Sequence, residues 1–241
     1  MAFIRSEMMS VEFPLYHVGA RSLKKRILAG SSARLRDEAN RIVVSALRDL
    51  TFAISPGERV ALVGSNGAGK TTLLRCLAGI YEPVRGRLEM EGTIGALIDP
   101  AAGMDPEATG RENIILRGMF LGRNPDECEA MADEAGRFSG LGEFLDVPVR
   151  TYSAGMGIRL AFAAATLMAP QILLMDEWFL AGDADFMARA TERLERLVSD
   201  AEILVLATHD MAIVQRWCTR VIRMEGGRIV SDLPLAEHFA G

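Results

Sequence analysis

The sequence predicts an α/β fold around a covered, largely parallel sheet. Three observations carry this: short apolar β-rich runs alternate with helical ones, the apolar runs lack the period-two polarity of a one-sided sheet, and a glycine-rich loop joins one such run directly to a helix. The 241 residues are long for one domain and short for two, which favours a single core carrying an inserted subdomain.

In chain order, "RVALVGS" is an apolar strand running into a glycine-rich loop. "TTLLRCLAGI" follows with apolar residues at helical spacing. "RGRLEMEG" and "TIGALID" read as two short strands, and from Met104 to Val149 the texture turns helical, with "ENIILRGMFLG" and "DECEAMADEAGRF" set between Gly/Pro breaks. After "RTYSAGMGIRLAFAAA", an Ala/Leu helix, come a buried strand "QILLMDE", a charged amphipathic helix "DFMARATERLERLVSD" and a second apolar strand "AEILVLATH". A short helix and a hairpin, "RVIRMEGGRIVSD", close the order.

Composition is ordinary for a globular chain, with 49% apolar and 24% charged residues. A formal charge of -5 gives no support to a broad nucleic-acid-binding surface. Cys76, Cys128 and Cys218 have no metal-like spacing and read as buried thiols of a reducing compartment. No run of about 18 uninterrupted apolar residues occurs.

Chemistry enters at Gly64, Ser65, Asn66, Gly67, Ala68, Gly69, Lys70 and Thr71, which fit G-x-x-x-x-G-K-[ST] between a strand and a helix. Glycines let the backbone wrap so that several N–H groups face one phosphate cluster, while Lys70 adds a point charge and the Thr71 hydroxyl a Mg²⁺ ligand. Thr72 extends the cofactor-binding set by one residue. A turn that merely joins strand to helix is the plain alternative. The strand and helix on either side favour binding of a nucleoside triphosphate.

Asp176 and Glu177 stand where a buried strand surfaces, so one carboxylate can hold the metal and its neighbour can take a proton from attacking water. Acids at a strand end are otherwise commonly just solvated. His209 ends another apolar strand, where a structural hydrogen-bonded histidine is the commoner case. At Ser153, Ala154, Gly155 and Gly157 small residues open a helix, leaving a bare N-terminus that could hold an anion or could be an ordinary capped end.

Together these motifs resemble the ATP-binding cassette (ABC) ATPases: the phosphate loop at Gly64 to Thr71, a signature sequence at Tyr152 to Met156, the Asp176-Glu177 pair, a D-loop at Leu180 to Asp183 and a switch histidine at His209. The step of 23 residues (176 − 153) from Ser153 to Asp176 fits the family pattern, and the resemblance runs from about Val11 to Asp232. It implies a P-loop NTPase ABC cassette: a RecA-like, mostly parallel core (1–103 and 159–241), an antiparallel β subdomain, and a helical subdomain (104–158) bearing the signature, all in one domain. It also implies catalytic roles for Glu177 and His209, Asp183 at the nucleotide, and Thr71 and Asp176 on Mg²⁺. In this family two cassettes meet head to tail, so Ser153 and the Gly155 backbone would serve the partner's phosphate. A homodimer or a pairing with a similar chain follows.

The chain departs from the family pattern in places. Its signature is Tyr-Ser-Ala-Gly-Met, in which Met156 replaces the usual glutamine; Asp99 stands where a Q-loop glutamine is common and is carried over as a metal ligand; Trp178 replaces a proline. Tyr16, with Phe13 second, is the candidate to stack on adenine, though a core aromatic on a first strand is equally consistent.

The signature, "GMDPEATGRENIILRG", "DEWFLAGDADF" and "FPLYHVGARSLKKRIL" look like the ATPase subunits of bacterial exporters of lipid-linked polysaccharides: O-antigen, capsule or teichoic acid. The resemblance implies an integral membrane permease as partner, a lipid-linked polysaccharide handled through it, no nucleic acid, and a peripheral place on the cytoplasmic face of the inner membrane. Seven basic residues between Arg21 and Arg41 form either a solvated loop or a contact with headgroups or the permease. About nine residues follow the final strand, too few for a glycan-reading domain, so glycan recognition is expected in the permease. Another ABC exporter is an alternative. A soluble ABC ATPase acting on nucleic acid or ribosomes would ordinarily carry two cassettes or a long coiled coil, and a P-loop kinase or GTPase leaves the signature and His209 unexplained.

Overall fold

The computed structural model describes residues 1–15, 35–38, 41–99, 102–176 and 183–238. They form two compact units: Met1–Ile94 with Leu174–Glu177 and Glu202–Gly241, and Gly95–Leu173 with Trp178–Ala201.

The first unit contains an antiparallel sheet and a mostly parallel one. β1 (Phe3–Leu15), β2 (Leu35–Glu38), β3 (Arg41–Ile54) and β5 (Arg85–Glu91) form the antiparallel sheet in the order β2-β3-β1-β5. The β1/β3 register slips near Met8 and Asp49, the two non-glycine residues with positive φ (47° and 53°) among the described residues, as expected where bulges bend a long pair. In the other sheet, β4 (Arg59–Val63) lies parallel to β8 (Ile203–Ala207) and to β9 (Arg220–Glu225), with Leu62 opposite both Ala207 and Ile222. β10 (Arg228–Pro234) returns antiparallel on β9, and β7 (Ile172–Asp176) stands beyond β8. All five residues of β8 are buried, which is why its sequence is continuously apolar. Helix α1 (Lys70–Leu77) follows β4 and buries Leu73, Leu74, Cys76 and Leu77.

The second unit begins in β6 (Ile94–Leu97) and is otherwise mainly helical. Helices α2 (Gly110–Phe120) and α3 (Pro125–Ser139) each open on a capping box, Thr109 with Glu112 and Asn124 with Glu127. Helix α3 stops at Gly140, whose φ of 65° suits a left-handed cap. Together with α4 (Ala154–Ala165) they bury Ile114, Ala132, Ala135, Leu145, Leu160 and Ala163, a core rich in alanine that lets the helix axes approach closely. Helix α5 (Ala184–Asp200) adds Phe186, which meets Phe138 and Phe162 at centroid distances of 5.8 and 6.0 Å. Arg193 lies 4.0 Å over the Phe138 ring and pairs with Glu134.

Helix α6 (Met211–Trp217) and a single turn, α7 (Leu235–His238), complete the described elements. None of the described helices is long and apolar enough to cross a membrane. The three cysteines are free and buried, and burial pushes the thiols of Cys76 and Cys218 up to about 11 and about 12, leaving them unreactive at neutral pH.

Candidate nucleotide site

The loop between β4 and α1 has the backbone its glycines allow. Gly64, Gly67 and Gly69 have φ of 151°, 77° and 110°, values that L side chains rarely adopt. A Cβ on Gly64 would stand 2.2 Å from the Met224 carbonyl oxygen, so this glycine is also needed for the close approach of β9. Ser65, Asn66 and Gly67 are exposed at the crest, while Ala68 is buried. Helix α1 starts from Gly69 with no side-chain cap and no acid in its first turn, an N-terminus left open to an anion. The buried Lys70 Nζ donates to the carbonyls of Gly64 at 2.7 Å and Ser65 at 3.3 Å, bracing the loop and keeping its third proton for a ligand. Thr71 and Thr72 are half-buried in the first helical turn.

The first unit also holds Asp176 and His209. Asp176 is the last residue of β7, half-buried, and its carboxylate makes no hydrogen bond or ion pair with a described residue. His209 is exposed two residues beyond β8. Because Leu62 pairs with Ala207, the loop after β4 and the turn carrying His209 leave the sheet at the same edge. The next residue, Asp210, caps α6 by accepting from the Ala212 N–H at 2.8 Å.

The signature residues belong to the second unit. Ser153 caps α4, accepting from the Met156 N–H at 3.3 Å, which leaves its own hydroxyl proton and the Ala154 and Gly155 N–H groups at the open end. A Cβ built on Gly155 or Gly157 would meet nothing among the described residues within 4 Å. Packing against the described residues therefore does not require these glycines. Met156 is turned onto the subdomain core, which accounts for an apolar residue there.

Asp183 is exposed and is engaged locally. It accepts from the Phe186 N–H at 2.8 Å as the cap of α5 and pairs with Arg159 of α4 at 3.1 Å. The Phe186 N–H first, and then Arg159 and Arg189, hold its carboxyl below the usual range. Arg159 was not singled out by its sequence context. Asp99 is exposed just after β6, and its carbonyl accepts from the Ala102 N–H at 3.1 Å. Tyr16, Glu177, the D-loop residues Leu180 to Gly182 and most of the basic segment lie outside the described residues. The second-choice aromatic, Phe13, packs edge-on against Tyr81 at 5.0 Å.

Comparison with known proteins agrees with this geometry. The ABC transporter family model matches residues 47–180. The chain is 39% identical to the O-antigen export system ATP-binding protein RfbE of Yersinia enterocolitica, over 92% of this chain and 94% of that protein. It is 39% identical to RfbB of Myxococcus xanthus, named for the same system, but spans only 50% of its length. The teichoic acids export ATP-binding protein TagH of Lactococcus lactis is 33% identical over 94% of this chain and 47% of its own. Among solved structures, an ATP-binding subunit of an ABC transporter superposes with a TM-score of 0.71 at 25% identity, covering 99% of this chain and 93% of the other. A dimeric ATP-binding cassette bound to ADP and Pi gives 0.70 at 21% identity, covering 96% and 98%, and bears on the fold alone. A wrapped glycine-rich loop on a parallel strand, the agreement of the fold and identity along nearly the full chain converge: the protein belongs to the ABC transporter family and is an ABC ATPase.

Proposed function

We propose that the chain is the ATP-hydrolysing subunit of a bacterial exporter, that it works as a homodimer, and that it drives a lipid-linked polysaccharide through a separate permease from the cytoplasmic face of the inner membrane. The names of relatives aligned along nearly the whole chain support the cargo class. Support for a docked partner comes from α2, whose outer face leaves Leu116, Met119 and Phe120 exposed, Phe120 at 89%, beside a cavity of about 460 Å³ that Leu116 lines with Asp105, Glu107 and Glu112.

The loop fits the triphosphate. The uncapped start of α1 and the spare Lys70 proton suit an anion, and the carboxylate of Asp176, which pairs with no described residue, suits Mg²⁺ together with the Thr71 hydroxyl. That ion, when bound, offsets phosphate charge and polarises the γ-phosphate. Lys70 binds and orients the terminal phosphates. Glu177 accepts the proton of attacking water, and His209 holds the γ-phosphate side of the site. Asp99 is a further oxygen donor at the metal, Tyr16 stacks on adenine, and Asp183 keeps the D-loop's end against α5.

The bare start of α4 carries the dimeric reading. A glycine pair that no described neighbour requires is explained if another chain's phosphate approaches it, with Ser153 and the Gly155 N–H as donors. Covalently linked heterodimers of Ser153→Arg with Lys70→Ala test this. A composite site gathers both lesions in one site and leaves the other whole, so one nucleotide per dimer should be trapped by vanadate. Equal loss at both sites would refute the arrangement.

A further inference from the structure

The phosphate loop is held from outside by a turn about 160 residues away in sequence. Gly226 and Gly227, with φ of 58° and 79°, join β9 to β10, and the Gly227 N–H donates to the Ala68 carbonyl at 2.9 Å. Arg48 of β3 secures the turn twice. Its backbone N–H donates to the Gly227 carbonyl at 2.8 Å, and its guanidinium donates to the Gly226 carbonyl through Nε at 3.0 Å and Nη2 at 2.6 Å. No side chain fits between these segments: a Cβ on Gly227 would lie 2.4 Å from the Ala46 carbonyl oxygen, and one on Gly69 2.9 Å from Leu47 Cδ2. Gly227 is buried and Arg48 half-buried, so water competes weakly for these bonds.

A trans peptide is planar, with its C=O and N–H pointing in opposite directions. Holding the Ala68 carbonyl toward Gly227 therefore aims the N–H of Gly69 the other way, to the open face of the loop. A Cβ added to Gly64 would stand 3.0 Å from Ala68 Cβ, so the two ends of the loop lie close together. A rotation of the 68–69 peptide would thus reach the Gly64 end of the loop, where Lys70 is braced.

We infer that Arg48 is a positioning residue for nucleotide binding: by pinning the Gly226–Gly227 turn it fixes the 68–69 peptide plane that points the Gly69 N–H at phosphate. This rests on the reading that Gly64 to Thr71 hold the triphosphate. Nothing local in "SALRDL" marks Arg48 for such a role.

The test uses the full chain with Arg48→Met, Arg48→Lys and, as a reference for the site, Lys70→Ala. Calorimetry with ADP and with ATP measures affinity, a steady-state series separates kcat from KM, and thermal melting without nucleotide reports the fold. Arg48→Met removes both guanidinium hydrogen bonds to Gly226 and should weaken ADP and ATP alike by about tenfold, the effect expected if about the worth of one of them is passed to the loop. KM should rise with it while kcat changes less than about threefold. Arg48→Lys, which keeps one cationic donor for Gly226, should recover most of the affinity. Binding by Arg48→Met within about twofold of the parent overturns the inference. So does a loss of affinity matched by a lowered melting temperature and not recovered by lysine, because that is a fold effect. If Arg48→Met does not fold, unaltered affinity in a folded Gly227→Ala, whose Cβ must push the turn off Ala46, overturns it equally. Unimpaired binding by Lys70→Ala would instead refute the site itself.

Discussion

Replacing Gly155 by alanine should make the protein more stable and less active. Gly155 is the second residue of α4, has no positive φ, and its added Cβ meets no described residue within 4 Å. Alanine there costs no packing and removes backbone freedom from the unfolded chain, a gain of about 0.5–1 kcal/mol. For a chain of this size that raises Tm by about 1–4 °C. The same methyl projects at the helix end where the proposed partner phosphate must come within about 3 Å of an N–H. Holding one donor of an anion site out of range should lower kcat about 10- to 100-fold, or about 1.4–2.7 kcal/mol of barrier. Scanning calorimetry of the nucleotide-free protein and phosphate release at saturating ATP measure the two effects on one preparation, and Gly157→Ala, two residues further along the helix, serves as the comparison. Parent-level turnover by Gly155→Ala would show that no phosphate approaches this end. A fall in Tm would show that the face is covered within the chain after all.

Glu177→Gln should keep ATP affinity and lower turnover by about 10² to 10⁴, because the amide cannot accept the water's proton; hydrolysis within a few-fold of the parent would remove Glu177 from that role. Asp183 titrates below the usual carboxylate range when folded, so its capping and its pairing with Arg159 stabilise the protein above the unfolded-state pKa and are lost as pH falls through the lower folded value. Melting temperatures taken from pH 5 downward should therefore drop less steeply in Asp183→Asn than in the parent, and parallel curves would contradict this. Gly64→Ala should lose nucleotide binding and stability together, since its Cβ would lie 2.2 Å from a backbone oxygen of β9 that cannot move without breaking the sheet; a stable variant that binds ADP normally would disprove the close contact.

The sequence by itself determined what depends on neighbours along the chain. The glycine spacing from Gly64 to Gly69 requires a loop with positive φ, and the continuous apolar runs of β4, β7 and β8 require strands covered on both faces. Ser153 and Asp183 stand one residue ahead of α4 and α5, where caps belong. Local dihedral preference and hydrophobic period encode these features, so they could be read without a fold. The long strands β1 and β3 could not be placed this way, because the bulges near Met8 and Asp49 shift side chains between faces and break the alternation. Only the tertiary structure showed that Asp183 is paired with Arg159, and that Arg48 reaches across 178 positions to hold the turn behind the glycine-rich loop. Such contacts depend on which distant segments pack together, and a backbone carbonyl that accepts a hydrogen bond leaves no mark on the identity of its residue.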